Sequence, residues 1–166
     1  FPEIAQVLQM VNYAPMKAVF AAFKKKDVHN SLQGFGVLYP SVEDSLLAGT
    51  IWNSSIFSGR CPADEILTTS FIGGMKHPEY TRLSDTTLLN RTIQQLKKDL
   101  EIDGDPTFVH ISGWDKAIPQ YDLVLKSAKI SIVPLKEKNI FFSSNWTSSI
   151  ALSACIKNAR QLASEL

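Results

Sequence analysis

The chain has 166 residues, about the length of one domain, and its 45% hydrophobic and 20% charged residues are typical of a globular protein. A net charge of +1 excludes a broad basic surface, so we expect no nucleic acid among its partners. Cys61 and Cys155 are the only cysteines, which favours a reducing compartment over a disulfide scaffold. The sequence begins at Phe1 without an initiator methionine, and we interpret it as a piece of a longer protein.

The first half of the chain predicts one helix and four strands. Residues 1–10 suit a short helix, and the apolar run 16–23 suits a largely buried strand. Three further strands end at turn residues, and they are predicted in "GFGVLYP" (34–40), "LLAGTIWNSS" (46–55) and "EILTTSFIGG" (65–74). The short loops between them favour an antiparallel meander.

The second half predicts helices alternating with strands. Ser84 suits the N-cap of a helix that ends before Gly104, with Leu89, Ile93, Leu96 and Leu100 on one face. A fifth strand is predicted in "TFVHISGW" (107–114), and an irregular aromatic loop in "WDKAIPQY" (114–121). Residues 122–133 suit a helix, "NIFFSS" (139–144) a sixth strand, and 149–165 a closing helix.

The usual catalytic motifs are missing from the sequence. His29, His77 and His110 share no metal-ligand spacing, and there is no P-loop or nucleophile elbow. In "GFGVLY" two glycines are followed by Tyr39 and Pro40, where a dinucleotide motif needs a third glycine and a helix. We therefore predict no metal ligand and assign no catalytic residue, and any chemistry must come from a cofactor.

Six motifs in a fixed order carry a family resemblance. They are "GFGVLYP", "LLAGTIWNSSIFSGRCP", "ILTTSFIGG", "LSDTTLL", "AIPQY" and "IFFSSNWTSSIALSACIKNARQLA". Over about residues 11–166 the chain resembles the protoporphyrinogen oxidases of the flavin amine oxidase superfamily. The resemblance implies FAD as cofactor, and oxidation of protoporphyrinogen IX to protoporphyrin IX in haem and chlorophyll synthesis, with molecular oxygen as acceptor.

The resemblance also assigns site residues. Ile150, Ala151 and Leu152 match positions whose backbone borders the flavin at the start of the last helix, where free N–H groups suit the electron-rich ring. Trp114 matches an aromatic residue near the cofactor. Four positions match the walls of the tetrapyrrole pocket, namely Leu38, Gly49, Ile51 and Phe71. Each of these residues also suits a purely structural role, in the sheet core or on a helix face.

The resemblance implies an α+β fold. Residues 11–113 would be part of a substrate-binding domain, a mixed and mainly antiparallel sheet with a helix across one face. Residues 114–166 would be the C-terminal loop–helix–strand–helix segment of an FAD-binding domain. The family's GxGxxG motif is absent, so we expect the 166-residue chain alone to be inactive. The location, cytoplasmic or peripheral on an organelle or inner membrane face, stays open, as does homodimerisation.

Departures from the family leave other functions open. Ser144 and the serines at 148–149 stand where the family usually has glycine, which allows close approach of the backbone to the cofactor. This favours an alternative, a non-catalytic fragment or degenerate paralogue that binds a tetrapyrrole or a partner. A third interpretation, a flavin amine oxidase acting on another substrate, is disfavoured because the implied pocket lacks the aromatic cage expected for an amine.

Overall fold

The computed structural model describes residues 1–166, apart from the side chain of Ser41. The chain forms two compact units, one of residues 1–14 and 116–166 and one of residues 15–115. Helices α1 to α5 span Pro2–Gln9, Asn53–Ile56, Asp85–Asp99, Leu123–Ser131 and Leu152–Ser164. Strands β1 to β5 span Tyr13–Lys24, Gly36–Leu38, Leu47–Ile51, Glu65–Gly73 and Phe108–Pro119. Short 3-10 segments lie at Lys25–Asp27, Ser41–Glu43, Pro78–Arg82 and Val133–Lys138.

The strands form one sheet in the order β2-β3-β4-β1-β5. Strand β3 pairs antiparallel with β2 and β4, and β4 pairs antiparallel with β1. The five strands predicted from the first 114 residues are confirmed. The predicted meander is right only for β2 to β4, because β1 lies between β4 and β5. The mixed α and β architecture is therefore confirmed.

Helix α3 covers one face of this sheet. Its Leu88 and Leu96 are fully buried, and they pack with Val19 and with Phe23 respectively, both on β1. Burying each such side chain contributes about 1.5–3 kcal/mol, so this layer stabilises the unit. The same sheet face carries a buried hydroxyl pair, in which Thr50 Oγ1 lies 2.9 Å from Ser70 Oγ.

The predicted apolar stripe of α3 was partly right. Leu96 and Leu100 of the predicted stripe are buried. Leu89 and Ile93 are only half-buried, while Leu88 and Thr92 are fully buried. The polar hydroxyl of Thr92 hid the true stripe from a hydrophobicity pattern. Thr92 lies one helical turn from both Leu88 and Leu96, so it shares their buried face.

In the other unit, α1 packs against α4 around a small core. Val11, Leu125 and Ala128 are buried there, with Trp146 packed beside them. Asp122 caps α4 by accepting a hydrogen bond from the Leu125 N–H at 2.9 Å. Helix α5 buries none of its side chains. The helices predicted at 1–10, 122–133 and 149–165 are all confirmed.

Two predicted elements were wrong. Residues 114–119 continue strand β5 instead of forming a loop, and 139–144 form no strand. The chain leaves a 3-10 segment at Asn139 in the left-handed conformation (φ 58°), and the Ile140 N–H donates back to the Leu135 carbonyl. That amide is used locally, so the apolar run has no ladder to join. Strand formation depends on a neighbouring strand, which the local pattern does not reveal.

The N-cap of α3 can be tested by substitution. Ser84 Oγ accepts a hydrogen bond from the Thr87 N–H at 3.2 Å, so Ser84→Ala should lower the free energy of unfolding by about 1 kcal/mol. The neighbouring Thr86→Ala is the control, because Thr86 is exposed and makes no side-chain hydrogen bond among the described contacts. Urea unfolding followed by circular dichroism measures both variants. Equal stability of the two variants would contradict the cap.

Candidate functional site

The face of the sheet opposite α3 carries the residues assigned to the substrate pocket. The strand registers place Leu38 opposite Gly49, Gly49 opposite Phe71, and Phe71 opposite Ala18. Side chains that are directly paired across antiparallel strands point to the same face. A single row of apolar and small residues therefore crosses four strands.

Ile51 lies on the same face of the sheet, next to this row. It lies two residues after Gly49 on β3, and a strand places such residues on the same face. Together they border a cavity of about 340 Å³. Its lining consists of Phe35, Gly36, Val37, Leu38, Gly49, Thr50, Ile51 and Phe71. All four predicted pocket residues thus line one cavity, and their role in binding stays a prediction.

This cavity is apolar and open. Leu38 is 83% exposed and Phe35 is 64% exposed, while Ile51 and Phe71 are half-buried. Within the unit of residues 15–115, the short helix α2 covers only part of this face, where Asn53 Oδ1 accepts a hydrogen bond from Thr69 Oγ1 at 2.7 Å. Exposed apolar side chains that form one contiguous patch are typical of a binding surface, whereas single scattered ones are common on any protein surface.

Gly49 is required by the close approach of two strands. A Cβ at this position would lie 2.9 Å from Leu38 Cδ2 and 3.0 Å from the Val37 carbonyl oxygen. The missing side chain lets Leu38 lie across β3 and form one wall of the cavity. The glycine therefore shapes the pocket without contributing a polar group to it.

Tyr39 anchors the edge of the pocket, and sequence reasoning missed it. Its hydroxyl donates to the Asp99 carboxylate at the end of α3, and Gln95 Nε2 donates to the same carboxylate at 2.8 Å. Burial, and then the hydrogen bond to Asp99, raise the pKa of Tyr39. Because Tyr39 directly follows Leu38, the two side chains point to opposite faces. The alternation of side chains along a strand could have predicted from the sequence that Tyr39 faces the helix side.

The residues assigned to the flavin are exposed. Trp114 lies on β5 and is 52% exposed. Ile150 and Leu152 are 49% and 77% exposed, and Ala151 is the N-cap of α5 without a side-chain cap. Trp114 belongs to the unit of residues 15–115, and the other three belong to the second unit. Their role in cofactor binding stays a prediction.

The serine-rich turn before α5 is held by hydroxyl contacts. The Ser144 N–H donates to Thr147 Oγ1 at 3.0 Å, and that hydroxyl donates to the Ser144 carbonyl at 2.9 Å. Ser144 has no positive φ, so it occupies no backbone conformation that favours glycine. Its Oγ is buried without a hydrogen-bond partner among the described residues. The serine is therefore tolerated without backbone strain.

The part of the chain that the structure describes contains no cluster of metal ligands. Across those residues no three His, Cys, Asp or Glu side chains stand close enough to hold a metal ion. His110 Nε2 lies 3.1 Å from Ser112 Oγ at an exposed position of β5. The candidate site is therefore a binding face of apolar character.

A sheet with one face under a helix and an apolar cavity on the other defines a mixed α and β fold. The family model described as flavin containing amine oxidoreductase matches residues 1–165, and the chain belongs to this family.

Several relatives of the chain are protoporphyrinogen oxidases of plants. The mitochondrial protoporphyrinogen oxidase of Nicotiana tabacum is 31% identical over 95% of this chain and 32% of its own length. Protoporphyrinogen oxidase 2, chloroplastic/mitochondrial, of Arabidopsis thaliana is 36% identical over 69% of this chain and 23% of its own length. The chain thus spans about a third of the length of the curated relatives it matches, or less.

The fold has counterparts among solved structures. A candidate protoporphyrinogen oxidase from Exiguobacterium sp. 255-15 superposes with a TM-score of 0.76 at 17% identity, over 97% of this chain and 38% of that one. Reduced UDP-galactopyranose mutase superposes with a TM-score of 0.62 at 11% identity, over 86% of this chain and 30% of that one. These similarities establish the fold.

Substitution of Gly49 tests the close approach that shapes the cavity. In Gly49→Ala the new methyl group meets the Val37 carbonyl, so the free energy of unfolding should fall by about 1–3 kcal/mol. Gly113→Ala is the matched control, since its Cβ would meet only the flexible Lys17 side chain. Urea unfolding compares the two. Losses of the same size would contradict the special packing of Gly49.

Proposed function

We propose that this chain is part of an FAD-dependent protoporphyrinogen oxidase, which oxidises protoporphyrinogen IX to protoporphyrin IX with molecular oxygen as acceptor. The observation that carries the proposal is the cavity of about 340 Å³ lined by Leu38, Gly49, Ile51 and Phe71. Membership of the flavin containing amine oxidoreductase family and the names of the relatives support it.

The open sheet face suits a flat macrocycle. Tetrapyrroles are planar or puckered discs of mainly apolar surface, and such ligands favour pockets with apolar walls and few polar groups. Gly49 lets the sheet present a low, even surface, and Leu38 and Phe71 stand on the strands to either side. In this proposal residues 11–113 are a portion of the substrate-binding domain.

FAD is the cofactor of the proposed enzyme. The start of α5 fits a flavin because Ala151 offers no side-chain cap and leaves first-turn N–H groups for an electron-rich ring. The chemistry that bound FAD supplies is the removal of hydrogen from the substrate. Ile150, Ala151 and Leu152 would border the ring through their backbone, and Trp114 would lie near it. Residues 114–166 would then belong to the FAD-binding domain.

We propose that the parent protein is cytoplasmic or lies peripherally on an organelle membrane or inner membrane. The relatives are named as mitochondrial or chloroplastic proteins, which supports an organelle. Among the helices described, none has both the length and the apolar character to cross a bilayer. A homodimer is likewise proposed for the parent protein.

A second candidate is a tetrapyrrole-binding protein without flavin chemistry. The turn at 143–149 favours it, because serines replace the glycines of the family and Ser144 places a buried Oγ there. The cavity would be the same in both cases. Flavin content of the parent protein separates the two, since only the enzyme purifies with FAD.

Phe71 tests the proposed pocket. In the 166-residue chain, Phe71→Ala should weaken binding of protoporphyrin IX about tenfold, because it removes an apolar wall from the cavity. Phe57→Ala is the control, since Phe57 is 51% exposed and lies outside the cavity. Fluorescence titration gives both affinities. Unchanged affinity in Phe71→Ala would refute the pocket.

The chain alone should bind no FAD. It lacks the GxGxxG motif that holds the pyrophosphate, so the start of α5 offers too few contacts to offset the entropy lost on binding. The purified chain should be colourless and should not change flavin fluorescence on titration. A yellow preparation with the absorbance of bound flavin would contradict this expectation.

A further inference from the structure

A second cavity adjoins the first one. It has a volume of about 460 Å³ and lies where β2 and β4 end and β3 begins. Leu38 lines both cavities, so its exposed side chain stands at the boundary between them. The second cavity differs in chemistry because two basic residues, Lys76 and His77, contribute to its lining.

The backbone after β4 places these two residues at the cavity. Gly73 and Gly74 both have positive φ, 102° and 82°, which turns the chain sharply after the strand that carries Phe71. A Cβ at Gly73 would lie 2.7 Å from the Pro15 carbonyl oxygen, so the tight turn needs glycine. The turn therefore brings Lys76 and His77 back beside the end of β2.

His77 is held in a defined orientation. Its Nδ1 lies 3.1 Å from Glu79 Oε1, and its ring stacks on Tyr80 with centroids 4.7 Å apart. Nε2 makes no hydrogen bond among the described residues, which leaves it for a ligand. Tyr80 packs against the core cluster beneath α3, so the stacking joins His77 to the core of the unit.

Lys76 supplies to this cavity a positive charge without an ion-pair partner among the residues described. It is exposed, and no carboxylate of the described side chains lies within 4.0 Å of its Nζ. Asp44 is the single acidic residue that lines the cavity. Glu79 is paired with His77. The ammonium group of Lys76 and the Nε2 atom of His77 are thus both available to an anionic group.

We propose that Lys76 and His77 bind a carboxylate of the ligand whose apolar body lies on the Leu38–Phe71 face. The proposal rests on the proposed function, which supplies a tetrapyrrole with an apolar ring and two propionate groups. A ring on the open face directs one edge across Leu38 toward the basic pair. The carboxylate there gains charge-assisted hydrogen bonds, which also set the orientation of the ring.

Two probes of matched shape test this inference on the 166-residue chain. Protoporphyrin IX carries free carboxylates, and its dimethyl ester carries none. The wild-type chain should bind the free acid about three- to tenfold more tightly than the ester, the range expected for a partly exposed charge-assisted contact. Lys76→Gln should remove that preference by weakening the acid alone, and His77→Gln should reduce it.

Three further variants sharpen the result. Lys98→Gln, at an exposed position of α3 outside the cavity, should leave both affinities unchanged. Leu38→Ala should weaken acid and ester equally, because it removes apolar contact. Asp44→Asn should tighten binding of the acid, because it removes the one repelling carboxylate from the cavity.

The outcomes separate this inference from the proposed function. If acid and ester bind equally well and Lys76→Gln changes neither, the carboxylate site is refuted and the apolar pocket stands. If Lys76→Gln and Lys98→Gln weaken the acid alike, the effect is one of net charge and the site is likewise refuted. If neither probe binds the folded wild-type chain, the proposed function and this inference both fail.

Discussion

The packing of α3 on one face of the sheet is the constraint on which the rest of this structure depends. Leu88 and Leu96 pack against β1, and that contact decides which face of the sheet is buried. Since side chains alternate along a strand, the residues between the buried ones must point away from the helix. Leu38, Gly49 and Phe71 are such residues, and the open cavity follows from their alternation.

The shape of that cavity is set by its edge strand. Strand β2 has only three residues, and a strand of this length at the edge of a sheet needs support beyond its ladder of hydrogen bonds. The hydrogen bond from Tyr39 to Asp99 supplies it by tying the end of β2 to the end of α3. Gly49 then allows Leu38 to lie across the neighbouring strand. The helix layer and the cavity are therefore linked through Leu38 and Tyr39, which are neighbours in the chain at the end of β2.

The serine-rich turn before α5 differs in its local contacts from the family motif that it matches. The hydroxyl of Thr147 binds the N–H and the carbonyl of Ser144, and the Ser149 hydroxyl accepts a hydrogen bond from the Ala151 N–H at 3.4 Å, a side-chain contact that glycine cannot make. Ser144 has no positive φ, and the substitution needs no strained backbone. The part of the chain that resembles the family most clearly in its motifs thus differs from it in local chemistry.

The sequence by itself determined the local elements and the family. Apolar runs bounded by turn residues predicted β1 to β4, and Ser84 predicted the start of α3, because these signals come from neighbouring residues. The order of the motifs indicated the four residues that line the cavity. The motifs were needed for this prediction because each of the four residues, taken alone, also suits an ordinary position in the sheet.

The tertiary structure alone decided the pairing and the faces. The insertion of β1 beside β5, the extension of β5 to Pro119 and the absence of a strand at 139–144 each depend on which distant backbone is available to accept hydrogen bonds. The burial of Thr92 depends on the angle at which α3 meets the sheet. Contacts between residues far apart in the chain set all of these, and no local pattern of hydrophobicity contains them.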